Sequence, residues 1–347
     1  MSQDSTHPVF DPAADPFEET KPMRWRARLW LLGGRFEFES DSPALLRLVK
    51  LAYGGLPSQR FSAHSAPFRI RLRLSEARTS RSRASQSGRS ARVPALRTLS
   101  GPGGLLCASM DTHNFAVLSP RERAGLIVAS VDNLPQPYHV RYELIEFSVF
   151  TLAARAQALV PLHGGCVGRK GRGVLLIGES GAGKSTLALQ SVLRGLELLA
   201  EDAVFVQPER LLATGVANFL HVRRDGLRFI EDAAIARRIE RSPIIRRRSG
   251  VRKFEVDLRR WGGAVSRTPM RIEGVVFLSP HPTASAGLVS AVGYRQMVQR
   301  LRAAQTYAAT QPGWSRLMQQ LAGVRAFEVR RGKHPADAAE AIAQLLR

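Results

Sequence analysis

The chain should fold as an α/β protein in two parts. A smaller α+β domain is expected over residues 23–140 and a larger α/β domain over 141–347, behind a polar tail at 1–22. Three observations lead there. In the first half, Phe68, Ile70, Leu72 and Leu74 alternate strictly with Arg69, Arg71 and Arg73, the period of a half-buried strand. In the second half an apolar run, Val174 to Ile177, is followed by a glycine-rich stretch, a helix-favouring stretch and a second apolar run at Leu196 to Ala200. Finally, 347 residues with 44% hydrophobic and 23% charged side chains are enough to bury a sizeable core and match globular averages.

The elements follow in chain order. Residues 1–22 are rich in Asp, Glu, Pro and Ser and read as a frayed tail. Short β-compatible runs surround Trp30 and Phe36, and Leu45, Leu46, Leu48 and Val49 suit a short helix. After the alternating strand, residues 75–92 are almost wholly Ser, Arg, Ala and Thr, which predicts a disordered surface insertion. The competing reading of that insertion is an RNA-binding or phosphorylated Arg/Ser segment. Ser119, Pro120 and Glu122 fit a helix start, with Ser as cap and Pro at the first helical position, but the following Leu126-Ile127-Val128 run is also strand-like. Ile145, Val149, Leu152, Ala156 and Leu159 form one helical stripe that stops near Pro161. Leu162 to Gly168 and Gly173 to Ile177 read as two strands joined by a tight polar turn. Toward the end, strands are expected at 272–278 and 324–329, and helices at 297–304, 314–321 and 335–346.

Composition excludes several classes. Two cysteines, Cys107 and Cys166, are too few for a disulfide scaffold or a zinc module. The polar start has no apolar segment of the secretory kind. The longest apolar stretch, Tyr142 to Val160, is broken by Glu143, Glu146 and Arg155, so no membrane partner is expected and the location read from sequence is cytoplasmic. The net charge of +22 comes mostly from arginines scattered through every segment, without a basic stripe interleaved with aromatics. That argues against nucleic acid and for acidic ligands such as nucleotides.

The chemistry sits in Gly178-Glu179-Ser180-Gly181-Ala182-Gly183-Lys184-Ser185-Thr186, a full Gly-x-x-x-x-Gly-Lys-Ser motif between an apolar strand and a helix-favouring run. Gly178, Gly181 and Gly183 are expected to take dihedrals that a side chain would forbid, turning successive N–H groups onto phosphate oxygens. The helix start adds its positive end, Lys184 reaches the β- and γ-phosphates, and the Ser185 hydroxyl can bind Mg²⁺. A nucleoside triphosphate with Mg²⁺ is therefore the expected ligand pair, the loop itself leaving ATP and GTP open. Thr186 packs nearby.

Further charges must decide the reaction. Glu201 and Asp202 stand at the tip of the next predicted strand, which a strand–helix–strand unit would bring to the same sheet edge as the loop. One could hold Mg²⁺ and the other accept the proton of an attacking hydroxyl. His163, on the strand feeding the loop, could orient one of them.

His163-Gly164-Gly165, the loop at 178–186, and Arg194-Gly195 followed by Leu198-Leu199-Ala200-Glu201-Asp202 together resemble the catalytic domain of HPr kinase/phosphorylase and its relatives. The resemblance covers Pro161 to Val206 well and extends loosely to the C-terminus. It implies an ATP-dependent serine kinase acting on a protein or peptide, with a mixed sheet related to that of phosphoenolpyruvate carboxykinase. It further implies that Glu201 takes the place of the general base, that Asp202 stands with Ser185 at the metal, and that His163 braces the base. The family has Asp at the first position, so Glu201, one methylene longer, allows the base and metal roles to be exchanged. The family's second, glycine-containing signature has only poor counterparts in Arg223-Arg224-Asp225-Gly226 and Trp261-Gly262-Gly263, and residues 1–150 do not resemble the family's N-terminal domain. A divergent relative with another substrate is expected. Family members are often oligomeric, which leaves a homo-oligomer open.

A transporter-type ATPase would need a Leu-Ser-Gly-Gly-Gln helix start and a late strand ending in Asp-Glu, and neither is present. A small-molecule kinase, or a nucleotide-binding docking module with little transfer, remain the alternatives. Arg237 to Lys253 could meet phosphates, an acidic partner or only solvent.

Overall fold

The computed structural model describes residues 21–61, 66–76, 95–247, 250–282 and 288–346. The expected tail up to residue 20 and the Ser/Arg insertion from residue 77 lie outside them.

The first part of the chain is a seven-stranded mixed sheet with helices over one face. A hairpin, β1 (Trp25–Leu31) and β2 (Gly34–Ser40), leads into α1 (Pro43–Tyr53), whose start is capped by Ser42 with Pro43 in the first turn. β3 (Phe68–Ser75) runs parallel to β2 and buries Phe68, Ile70 and Leu72 while its arginines face out, as the alternation requires. β4 (Arg97–Ser100), β5 (Leu106–Asp111), β6 (Asn114–Ser119) and β7 (Ala124–Ser130) complete the order β1-β2-β3-β7-β6-β5-β4.

The helix expected from Ser119 does not form. Residues 115–119 pair with 124–128 instead, and the Ser119 hydroxyl caps only the hairpin turn by accepting from the Glu122 N–H. Tertiary strand pairing outweighs a local cap signal. Next comes a continuous helical segment: α2 (Pro137–His139), a π-helical stretch at Val140–Glu146, and α3 (Phe147–Ala156). Its stripe of Val140, Leu144, Ile145, Val149 and Leu152 packs into the first core, so most of a segment expected at the start of the second domain packs with the first.

The second part is built on a nine-stranded mixed sheet. Its members are β8 (Val160–His163), β9 (Gly165–Arg169), β10 (Arg172–Ile177), β11 (Glu197–Ala200), β12 (Ala203–Gln207), β13 (Leu212–Gly215), β17 (Met270–Pro282), β18 (Val289–Val292) and β19 (Arg325–Arg331). A separate three-stranded sheet is formed by β14 (Phe219–Val222), β15 (Ile244–Arg246) and β16 (Arg252–Asp257). Helices α4 (Lys184–Leu193), α5 (Ala233–Glu240), α6 (Tyr294–Ala304), α7 (Trp314–Gln320) and α8 (Pro335–Leu345) complete this part.

β10 shows why the sequence reads as a continuous apolar run: Val174 and Leu176 enter a core shared with α4 and α8, while Leu175 and Ile177 enter another shared with α6 and α7. The sheet path is β11-β9-β10-β17-β13-β12-β8. β8 and β9 lie at distant points of that path although only Gly164 separates them. The path therefore curls until its two ends meet at a corner. There the antiparallel segments 160–169 and 197–207 stay paired, His163 with Ala203 and Cys166 with Ala200, and both bend at the same place. The Gly164 N–H donates to the Asp202 carbonyl across the bend at 3.1 Å. A Cβ at Gly164 would stand 2.6 Å from the Leu176 carbonyl oxygen, so only glycine fits this corner.

Among the described residues no helix is long and apolar enough to cross a membrane, and both cysteines are free.

Candidate functional site

The glycine-rich loop connects β10 to α4 at the edge of the sheet. Gly181 and Gly183 sit at φ +88° and +98°, as the motif requires, and Gly183 caps α4. Gly178 does not share that geometry. Its surroundings are close, since a Cβ there would stand 3.2 Å from the Cβ atoms of Ala182 and Leu278. Glu179 and Ser180 are exposed, Ala182 and Ser185 are half-buried, and Thr186 faces the turn at Arg224–Phe229, its hydroxyl 4.0 Å from where a Gly226 Cβ would stand. Lys184 folds back over the loop, its Nζ donating to the carbonyls of Gly178 (2.7 Å) and Glu179 (3.1 Å). Burial lowers the Lys184 pKa, against the pull of the Asp202 and Glu201 carboxylates.

β11 runs parallel to β10, since both are antiparallel to β9, and so its tip reaches the loop edge. Glu201 and Asp202 follow at the corner and point to different surroundings. Glu201 is buried, 6% exposed, with the Ser185 hydroxyl close enough to favour its charged form. Its Oε2 also lies 2.7 Å from His221 Nδ1 and accepts the His221 backbone N–H at 3.1 Å. Burial pushes its pKa up, but His221 and Ser185 outweigh burial and hold the carboxyl below its usual value. Asp202 stands at the open rim, with Oδ1 3.6 Å from His163 Nδ1 and Oδ2 3.7 Å from Arg247 Nη2. The histidine implied as a brace for Glu201 therefore lies beside its neighbour. His163 is pinned through its backbone, because buried Gln305 bonds both its N–H (2.7 Å) and its carbonyl (2.9 Å).

Sequence reasoning missed the partners behind Glu201. His221 on β14 pairs in register with Glu255 on β16, and both are buried. Leu220 and Val222 point into the core, so alternation sends His221 the other way, toward Glu201. The signal was present: each is a polar residue inside a short apolar run, Phe219 to Val222 and Phe254 to Val256. The other ring nitrogen of His221 meets the Tyr142 hydroxyl at 3.0 Å; that hydroxyl donates to Glu255 at 3.1 Å, and Glu255 pairs with buried Arg141. The single hydroxyl proton goes to Glu255, so the ring must donate at both nitrogens. Burial works to lower the His221 pKa, but Glu201 and Glu255 overcome it and push it up to about 9. Lys253 adds positive charge facing both acids and Arg247 adds it beside Asp202, Lys253 having its own pKa lowered by burial.

Among the described residues no group of three or more His, Cys, Asp and Glu is placed to hold a metal ion by itself. Ser185 and Glu201 do fit Mg²⁺, which is commonly bound by one or two protein oxygens together with phosphates.

With this geometry in view, the profile for the HPr Serine kinase C-terminal domain matches residues 154–227, spanning the corner, the loop and His221. This segment is similar to HPr kinase-like proteins. The chain is 52% identical over 74 residues to HPr kinase/phosphorylase of Caldanaerobacter subterraneus, covering 20% of this chain and 24% of the relative. It is 50% identical over 103 residues to the protein of that name from Geobacter sulfurreducens, covering 30% of each. The alignments thus span about a quarter to a third of those relatives. The solved HPr(Ser) kinase/phosphatase of Coxiella burnetii aligns with 53% of this chain and 93% of its own at 12% identity and a TM-score of 0.28. The assignment of the HPr kinase-like segment rests on the sequence matches alone.

Proposed function

We propose that the protein is an ATP-dependent kinase that transfers the γ-phosphoryl group to a hydroxyl, a serine of a protein or peptide, on a sheet of the phosphoenolpyruvate-carboxykinase kind. The observation that carries this reading is the delivery of Glu201 and Asp202 to the loop edge in unlike environments, one against Ser185 and one at the open rim.

The loop amides at 178–186 and the Lys184 ammonium grip the phosphates. Ser185 and Glu201 would hold Mg²⁺, which would offset the negative charge that develops as the phosphoryl group is transferred. Asp202 takes the proton of the acceptor hydroxyl as its oxygen attacks the γ-phosphorus and ADP leaves. His163 steadies Asp202 from one side and Arg247 from the other. This exchanges the roles that the family resemblance alone implies. The contact of Ser185 with Glu201, together with the exposure of Asp202, favours the exchange.

The relatives' name makes HPr the first acceptor to try. With γ-labelled Mg-ATP, the parent protein is expected to label a serine of its protein acceptor, HPr being the first one tried, and Lys184→Ala to lose labelling through lost nucleotide affinity. A parent that binds no nucleotide, or an Asp202→Asn variant that transfers like the parent, overturns the reading. Nucleotide binding without transfer to HPr redirects the search to another acceptor, and tight binding without transfer to any acceptor leaves the docking-module alternative.

A further inference from the structure

The helical segment of the first core meets the candidate site at one place. Within the π-helical stretch, Val140, Leu144 and Ile145 stay in the first core while Arg141 and Tyr142 reach the second part of the chain. Such widened turns recur at functional sites because they re-aim side chains without breaking the helix. Tyr142 contacts Nε2 of His221 and donates to Glu255; Arg141 pairs with the same Glu255 oxygen; Nδ1 of His221 engages Glu201; and Glu201 lies toward Ser185 of the loop, whose hydroxyl favours its charged form. Each link from Arg141 to Glu201 lies at or near full burial, with Arg141 3%, Glu255 6%, His221 5% and Glu201 6% exposed.

The two parts are pinned around this chain of contacts by further bonds. The Asn218 amide donates to the Ala52 carbonyl at 2.7 Å, Arg259 donates to the carbonyls of Leu51 and Gly54, and Gln59 bridges Ser266 and Thr214. A glutamate side chain has several rotatable bonds, and nothing in its own strand fixes where the carboxylate goes. The fixing groups come from β14 and, behind it, from the helical segment of the first core.

We infer that Tyr142 and Arg141, acting through His221 and Glu255, are positioning residues that hold the Glu201 carboxylate against Ser185, so that the nucleotide site is complete only when the first domain is docked. The inference rests on the reading of Glu201 as the carboxylate on the metal side. It gives the first domain a task at the site, although that domain brings no group to the reacting atoms.

The test uses the full chain, with ATP alone and ATP plus Mg²⁺ as probes. Removing a partner that orients a metal-side carboxylate typically lowers metal affinity by about 10–100-fold. His221→Ala is expected to lose the Mg²⁺-dependent gain in ATP affinity by roughly that factor, with metal-free ATP binding within about 2-fold of the parent. His221→Asn keeps an N–H for Glu201 and should recover most of the gain. Tyr142→Phe, which removes one oxygen and leaves the ring packing intact, should lose about 3–10-fold. Parent-like Mg²⁺ dependence in both His221→Ala and Tyr142→Phe overturns the inference. So does an equal loss of metal-free binding, which marks a role in the fold alone. A crystal structure of His221→Ala separates this inference from the functional reading. A Glu201 carboxylate still against Ser185 overturns it; one swung away upholds it, even if the parent binds ATP without regard to Mg²⁺ and the metal-side reading fails.

Discussion

Glu201 and Asp202 are neighbours in the chain yet belong to two different regions of the molecule. Glu201 lies in a dry pocket closed by β14, β16 and the helical segment of the first core, with a partner on each side. Asp202 lies at an open rim, between two partners more than 3.5 Å away. Two acids side by side in sequence can thus be given unlike chemistry by a bend that turns one inward and the other out. The buried one is held in one state and place, while the open one faces the rim between His163 and Arg247.

The largest expected effect is on transfer. Asp202→Asn should lower the rate of transfer by about 10²–10⁴-fold with Mg-ATP affinity nearly unchanged, whereas Glu201→Gln should show its loss in the Mg²⁺ requirement. Identical kinetic profiles for the two variants would break the contrast. Stability comes next. Glu201→Gln leaves His221 without its carboxylate in a buried network and should cost about 3–5 kcal/mol in urea unfolding, while Asp202→Asn at the rim should stay within about 0.5 kcal/mol.

The pH dependence sharpens the same division. His221, with its pKa raised to about 9, contributes stability that is fully present below its unfolded value near 6.5 and is lost as pH rises through about 9. Glu146 is raised to about 8 by burial, which outweighs His221 and Arg141, so its contribution is lost between about 4.5 and 8. Glu201, held low, has the opposite sign, its contribution being lost only as pH falls through its depressed value. Urea midpoints should therefore decline from pH 6 to 9.5, with the upper part of the decline removed by His221→Asn and the lower part by Glu146→Gln. A flat profile in the parent would mean that the buried side is not charged in this way. The smallest effect is expected for His163→Ala, about 10-fold or less on transfer and near zero on stability, because its contact with Asp202 is long and solvated.

What the sequence revealed and what it hid divide along physical lines. The strand at Phe68–Leu74 was legible because one face is wet, and Val174–Ile177 because both faces are dry; both signals are local. The loop at 178–186 was legible because its spacing alone dictates its geometry, although Gly178 serves crowding rather than a left-handed backbone. The signal at Ser119 misled because a cap stabilises a turn as readily as a helix, and the choice was made by strand pairing with β7. Around Glu201 the partners come from positions 141, 142, 221 and 255, brought together by three separate elements, and no spacing rule connects them. His163 was placed near the acids, but which acid it serves depends on the direction of a bend that the sequence does not encode locally.

The corner at Gly164 and residues 201–202 also sets a strict phase. Backbone pairing fixes both flanks, from Ala200 back toward Glu197 and from Ala203 onward, so inserting or deleting a single residue between them has no slack in which to hide. Such a change would swap inward for outward at this point, placing a carboxylate of the wrong length in the closed chamber and leaving the rim without one. Tolerance to indels at this one step of the chain should accordingly be lower than in the loops that join the strands elsewhere.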